Sequence, residues 1–169
     1  MSKILKLSLL VLIIVSTKLQ AQAQKFGHIN STLLLQQMPE TKNADTTVQK
    51  FGSTLESQLK TMTAEYQNKV NDYKNKEQSM ADPIKDAKLK EISDLEQRIQ
   101  DFQESAQSSI QKKKEEIYSP IIKKAEDAIH GIAKEKGYAY IFDTSVGAFL
   151  YAQDSDDIMP LVKAKLGLK

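Results

Sequence analysis

Two histidines, His28 and His130, are the side chains of this 169-residue sequence best suited to moving protons at neutral pH. A hydrolytic site would be built around one of them. With no cysteine in the chain, its nucleophile would have to be a serine. His28 falls in a short apolar run and His130 in an amphipathic helical pattern, so both read as ordinary polar or packing residues. Asp154, Asp156 and Asp157 cluster carboxylate oxygens of the kind calcium prefers. Yet a calcium loop starting there lacks the glycine at its sixth position and the glutamate at its twelfth, and acidic residues just ahead of an apolar run suit a helix N-terminus. No glycine-rich loop that could cradle phosphate occurs, which argues against ATP use. The chemistry points to a binding protein rather than an enzyme, with no cofactor and no metal implied.

The N-terminus gives an expectation of export. Lys3 and Lys6 precede an apolar run of nine residues, Leu7 to Val15, and Ala21-Gln22-Ala23 offers small residues for cleavage after Ala23. Nine residues at about 1.5 Å each fall short of about 30 Å of hydrocarbon, so residues 1–23 read as a signal peptide rather than an anchor. No cysteine follows that could carry a lipid. Removing Lys3, Lys6 and Lys18 leaves 24 − 3 = 21 basic against 22 acidic residues, a net charge of −1. A near-neutral chain does not suit nucleic acid. Absence of cysteine also leaves stability to packing, without disulfides.

The longest feature is residues 42–118, interrupted only by Gly52 and Pro83. On the outgoing side Phe51, Leu55, Leu59, Met62, Tyr66, Val70 and Tyr73 follow one another at spacings of 4, 4, 3, 4, 4 and 3. This eleven-residue repeat keeps a narrow stripe nearly straight along a helix expected from about Glu40 to Met80. On the returning side Ile92, Leu95, Ile99 and Phe102 are spaced 3, 4 and 3, and the stripe then loosens among glutamines. Asp82-Pro83 separates the two, with Asp82 expected outside helical geometry and Pro83 in the first turn of the next helix. The pattern predicts a helical hairpin roughly 60 Å long with its tip near residues 79–85. Pro120, inside a continuing helical pattern, is expected to kink the helix and act as the hinge between arm and body.

The remaining 18 + 51 = 69 mature residues, 24–41 and 119–169, form the body. Lys25 to Asn30 reads as a strand, with Phe26 and His28 on one face and Gly27 and Ile29 on the other. Asn30 or Ser31 can cap a short helix that Pro39 ends. Gly137 suits a helix C-cap after Lys134 and Lys136. Tyr138 to Asp143 reads as a second strand and Ala148 to Ala152 as a third, joined by a turn at Thr144-Ser145-Val146-Gly147. An amphipathic helix, Ile158 to Leu166, closes the chain. Three short strands with so little core are marginal alone. Phe26, Ile29, Tyr138, Tyr140, Ile141, Phe142, Phe149, Leu150 and Tyr151 are therefore expected to build a body pooled from several chains. The fold class is α+β: a long antiparallel helical arm on a small β body.

This order of elements resembles the Skp/OmpH family of periplasmic chaperones. The resemblance rests on Lys25 to Asn30 leading to Leu33-Leu34-Leu35-Gln36-Gln37-Met38-Pro39-Glu40, on the charged hairpin, and on Ala133 to Tyr138 leading into Ile141-Phe142-Asp143 and Phe149 to Ala152. It implies a homotrimer with three arms around a cavity, in the periplasm of a Gram-negative-type bacterium, holding unfolded outer-membrane proteins without ATP. Well-known members are strongly basic, whereas residues 42–118 here hold 13 basic and 14 acidic side chains. Only the tip leans basic, through Lys74, Lys76, Lys85, Lys88 and Lys90, and that is the place for any contact with a membrane surface. The arm residues singled out for client contact are Met62, Tyr66, Val70, Tyr73, Met80, Lys85 and Lys88, although Met62, Tyr66 and Tyr73 can equally fill the seam between the two helices. The alternative function is a structural coiled-coil envelope protein with one fixed, folded partner.

Overall fold

The computed structural model describes residues 24–168, and the expected signal peptide lies outside them. Strand β1 (Lys25–Ile29) begins the body. Asn30 is extended, and its side chain accepts a hydrogen bond from the Leu33 N–H at 2.9 Å, which caps helix α1 (Ser31–Gln37). Ser31 is free of the capping role and donates its hydroxyl to Asp143. Met38 is extended, as a residue before proline should be. Pro39 opens helix α2 (Pro39–Lys76), where its missing N–H has no partner to lose.

Helix α2 stops at Lys76, before the expected Met80, and a 3-10 turn covers Glu77–Ser79. Helix α3 (Asp82–Lys136) runs back. The reversal lies where the proline predicts, with one correction. The extended residue is Ala81 (φ −68°, ψ 148°), and Asp82 already belongs to the first helical turn. There its carboxylate meets the positive end of the helix dipole and pairs with Lys85 at 3.3 Å. Helix α3 continues through Pro120 to Lys136, a length of 55 residues. It ends at Gly137, whose φ of 70° is the left-handed conformation that closes helices.

Strand β2 (Tyr138–Asp143) pairs in parallel with β1, so the whole arm is one crossover between two neighbouring strands. The register slips between Lys25 and Phe26, whose partners are Tyr138 and Tyr140. The bulge leaves Ala139 without a partner and turns Tyr138 onto the core side, over Gly27. A Cβ at Gly27 would come within 2.9 Å of the Tyr138 ring and 3.0 Å of Ile158. Helix α4 (Met159–Leu166) then packs against α3, with the Met159 N–H donating to Asp157 at 2.8 Å. Of the acidic cluster, Asp157 alone bonds the start of this helix, while Asp154–Asp156 wind a 3-10 turn before it.

The expected third strand is absent. Asp143 accepts from the Ser145 N–H and winds residues Thr144–Val146 into a 3-10 turn, and Gly147 follows with φ 70°. This steers Ala148 to Ala152 away from the free edge of β2. The other edge of β1 is taken by the Ile158 N–H, which donates to the His28 carbonyl at 2.9 Å. Phe149, Leu150 and Tyr151 are therefore exposed residues of an irregular segment, and the sheet has two strands rather than three. The core lies under one face of this sheet, where Ile29, Leu34, Met38, Ile121, Ala125, Ala128, Ile132, Ile158 and Val162 are buried together.

Candidate functional site

The arm is a two-helix ribbon. Its register is set by pairs that cross from α2 to α3: Lys69 with Glu91, Asp45 with Tyr118, and Glu40 with Lys124. Hydrogen bonding to Lys69 holds the Glu91 carboxyl below its usual range. The bond to Asp45 raises the Tyr118 phenol above its usual value. Met62, Tyr66, Val70 and Tyr73 all lie half-buried along the seam, facing a stripe in which Leu95 is the one fully buried side chain, 1 % exposed. The Tyr73 hydroxyl donates to Glu77 at 3.3 Å. A two-sided seam leaves ring edges reachable on either flank, as a single partner helix can cover only one side.

At the tip the picture sharpens. Met80 is half-buried at the reversal. Lys85 pairs with Asp82 at 3.3 Å, Lys88 with Glu91 at 3.4 Å, and Lys76 with Asp72. Over residues 72–91 five lysines face five acidic residues, so the lysine-rich tip has no net charge. What sequence reasoning missed there is apolar. Ile84 and Leu89 are exposed by 52 % and 47 %, the large hydrophobic side chains left open on the arm among the described residues. Ile84 lies beyond Tyr73, the last apolar residue of α2, whereas Leu89, two residues before the Glu91 that pairs with Lys69, lies level with residues 70–73 but outside the seam. For Ile84 the signal lay in comparing where the two stripes stop; for Leu89 the spacing gave none.

The second candidate surface is the outer face of the sheet. The sorting expected along β1 holds for Gly27 and Ile29, which face the core, while Phe26 faces out. Of the residues expected to build a pooled body, Ile29 is buried and Tyr138 and Ile141 pack against the core. The others are open. Phe26 stacks on Tyr140 at 5.8 Å and on Phe142 at 6.2 Å, and Phe142 meets Phe149 at 5.0 Å. Tyr140 is 56 % exposed, and beside this ladder Tyr151 is 79 % exposed and Leu150 wholly so. Fully covering an exposed phenylalanine contributes roughly 1.5–3 kcal/mol. Among the described residues, this face gathers most of the exposed aromatic side chains.

Polar groups of the body do structural work. Burial favours the neutral form of Asp143, but hydrogen bonds from the Ser31 hydroxyl and from the Ser145 and Ser31 N–H groups outweigh it and hold the carboxyl below its usual range. This knot ties the start of α1 to the end of β2. The His28 ring nitrogen Nε2 bonds the Gln153 carbonyl at 2.9 Å, and His130 is exposed on α3. Among the described residues, no group of three or more His, Cys, Asp or Glu side chains is arranged to hold a metal. None of the described helices is long and apolar enough to cross a membrane.

Comparison with known proteins agrees with this architecture. The chain is 25 % identical over 150 residues to the chaperone protein Skp of Vibrio cholerae serotype O1, with 86 % of this chain and 88 % of that protein covered. It superimposes on the crystal structure of an OmpH-like protein from Caulobacter crescentus CB15 with a TM-score of 0.75 at 13 % identity, over 85 % of this chain and 83 % of the other, which establishes a shared fold. The family model described as outer membrane protein (OmpH-like) matches residues 25–166, all but the first residue and the last two of the described chain, and this protein belongs to that family.

Proposed function

We propose that the protein is an ATP-independent holdase chaperone of the bacterial periplasm, exported by a cleaved N-terminal segment. It binds unfolded outer-membrane proteins in a cavity between helical arms and prevents their aggregation. The observation that carries this reading is the uncovered aromatic ladder Phe26–Tyr140–Phe142–Phe149 at the root of a long, thin arm. Membership of a family with a chaperone relative supports it. Three copies bring their ladders together into one body, 24–41 and 119–169, from which the arms, 42–118, project. Pro120 lacks the N–H that would bond the Glu116 carbonyl, so the helix has a weak point between arm and body. Along the arm Met62, Tyr66, Val70, Tyr73 and Met80 offer apolar edges, and Lys85 and Lys88 lie beside them. Ile84 and Leu89 add open apolar area at the tip. Each contact is weak, and several arms around one client raise the effective concentration, so binding holds without fuel and releases when folding offers a lower free energy. The test is light scattering from a diluted, unfolded outer-membrane barrel protein. Stoichiometric chaperone should suppress the signal, and undiminished aggregation refutes the reading.

A second reading has its own observation. Burial of Leu95 and the Lys69–Glu91 pair stiffen the outer half of the arm, which suits a structural coiled-coil spacer with one folded partner. Hydrogen exchange separates the two. A spacer protects its arm along the whole length, whereas a holdase exchanges fast near residues 77–89.

A further inference from the structure

Among the described residues, the end of the body away from the arm carries a concentration of positive charge that the arm and its tip lack. Helix α3 enters the body past Pro120 and stops at Lys136, about 24 Å further along its axis. Lys134 and Lys136 occupy its last turn, and Lys163 and Lys165 the last turn of α4. Lys25, the first residue of β1, donates to the Lys136 carbonyl at 3.4 Å and lies 4.0 Å over the Tyr138 ring. Among the described residues one carboxylate forms ion pairs with this group. Glu135 pairs with Lys136 at 3.0 Å and with Lys165 at 3.5 Å, and its pKa is lowered by the Lys136 hydrogen bond and by the charges of both. Five lysines against one glutamate leave 5 − 1 = +4 here, in a mature chain of net −1.

Lysines in a last turn commonly complement the helix dipole. Two helix ends account for about one unit of negative charge between them, so roughly three positive charges per protomer stay uncompensated. The tip, with five lysines against five acids, has none to spare. We propose that this far end of the body, and not the tip of the arm, is the surface that docks on an anionic membrane, with lysine ammonium groups meeting lipid headgroup phosphates. The geometry leaves the arm pointing away from the bilayer. A membrane is favoured over a folded acidic partner because the lysines are spread over a strand start and two helix ends with no apolar pocket among them to define a shape.

Flotation of the purified mature protein with phosphatidylglycerol–phosphatidylcholine vesicles, and with pure phosphatidylcholine vesicles, tests this. Near an anionic surface each lysine is worth about fivefold in partitioning. The variant K134Q/K136Q/K165Q should lose about 100-fold in binding to the anionic vesicles, and K74Q/K85Q/K90Q should stay within about threefold of wild type. E135Q removes the one acid and should bind about fivefold more tightly, which decides the matter if the triple variant folds poorly. Binding should weaken in high salt and be absent from phosphatidylcholine. Equal binding to both vesicle types, loss of binding in the tip variant instead, no gain in E135Q, or tighter binding of a soluble polyphosphate than of the vesicles would each overturn the proposal.

Discussion

The body and the arm place their apolar residues in opposite ways. In the body, Ile29, Leu34, Met38, Ile132, Ile158 and Val162 are buried from several sides by two strands and four helices. In the arm, eight apolar residues from Val48 to Tyr73 are all half-exposed, because one helix has one partner and nothing else. The body therefore unfolds as a unit, while the arm can open locally at small cost, with few buried contacts holding any one turn. The same contrast separates their unfinished surfaces. The body leaves a ladder of neighbouring aromatic rings on one sheet face, suited to a fixed partner of matching shape. The arm leaves half-exposed edges and two open tip residues, Ile84 and Leu89, suited to a partner without fixed shape.

The largest effect that probes this contrast is truncation of one buried leucine in each region. Leu34→Ala should cost the body about 2–5 kcal/mol, because its cavity cannot collapse. It should lower the midpoint of global unfolding by circular dichroism. Leu95→Ala should cost about 2 kcal/mol, the transfer term alone, since water can enter the open seam. Its effect should appear as faster hydrogen exchange in residues 62–99 with an unchanged body. A matching drop in global stability from both variants would break the distinction. Next in size, Gly27→Ala forces a methyl against Tyr138 and Ile158 and should destabilise the body by about 1–3 kcal/mol. Gly52 meets nothing within 4 Å, so Gly52→Ala in the arm should be neutral or should stabilise by up to about 1 kcal/mol. Thermal melts of the two variants check the pair.

Most of the architecture could be read from the sequence because helices announce themselves locally. The 4-4-3 spacing, Pro39, Pro83 and Gly137 each act within a turn or two, and the elements begin or end beside them. Pairing between distant strands leaves no such mark. Nothing in Lys25 to Asn30 says that its neighbour lies more than a hundred residues on, in parallel. The alternation of Ala148 to Ala152 looks like a strand but cannot show that Asp143, engaged by Ser31 and Ser145, turns the chain away from the sheet edge. Of the candidate sites, the seam residues were legible from spacing. The openness of Ile84 depended on where α2 stops, that of Leu89 on which face of α3 meets the seam, and the neutrality of the tip on Asp72 and Glu91 pairing with its lysines.

Smaller effects of pH should fall on the two regions at opposite ends of the scale. Asp143 has a folded pKa below its ordinary value, so its contribution to body stability is present above about pH 4 and is lost as pH falls through the folded value. Tyr118 has a raised pKa, so its contribution at the arm root is present below about pH 10 and is lost as pH rises through the folded value. Acid titration of Asp143→Asn should be flatter than wild type when followed by near-ultraviolet circular dichroism. Alkaline titration of Tyr118→Phe should be flatter when followed by exchange at residues 42–48. Exchanged responses, with the body sensitive to Tyr118 and the arm root to Asp143, would contradict the assignment.

The central claim is that the aromatic face is uncovered only in the single chain and is closed by copies of it. Sedimentation equilibrium of the mature protein tests that claim most directly. The account predicts a mass of three protomers, falling to one in Tyr140→Asp/Phe142→Asp with the helical signal retained. A wild-type protein that stays a stable monomer at micromolar concentration contradicts it.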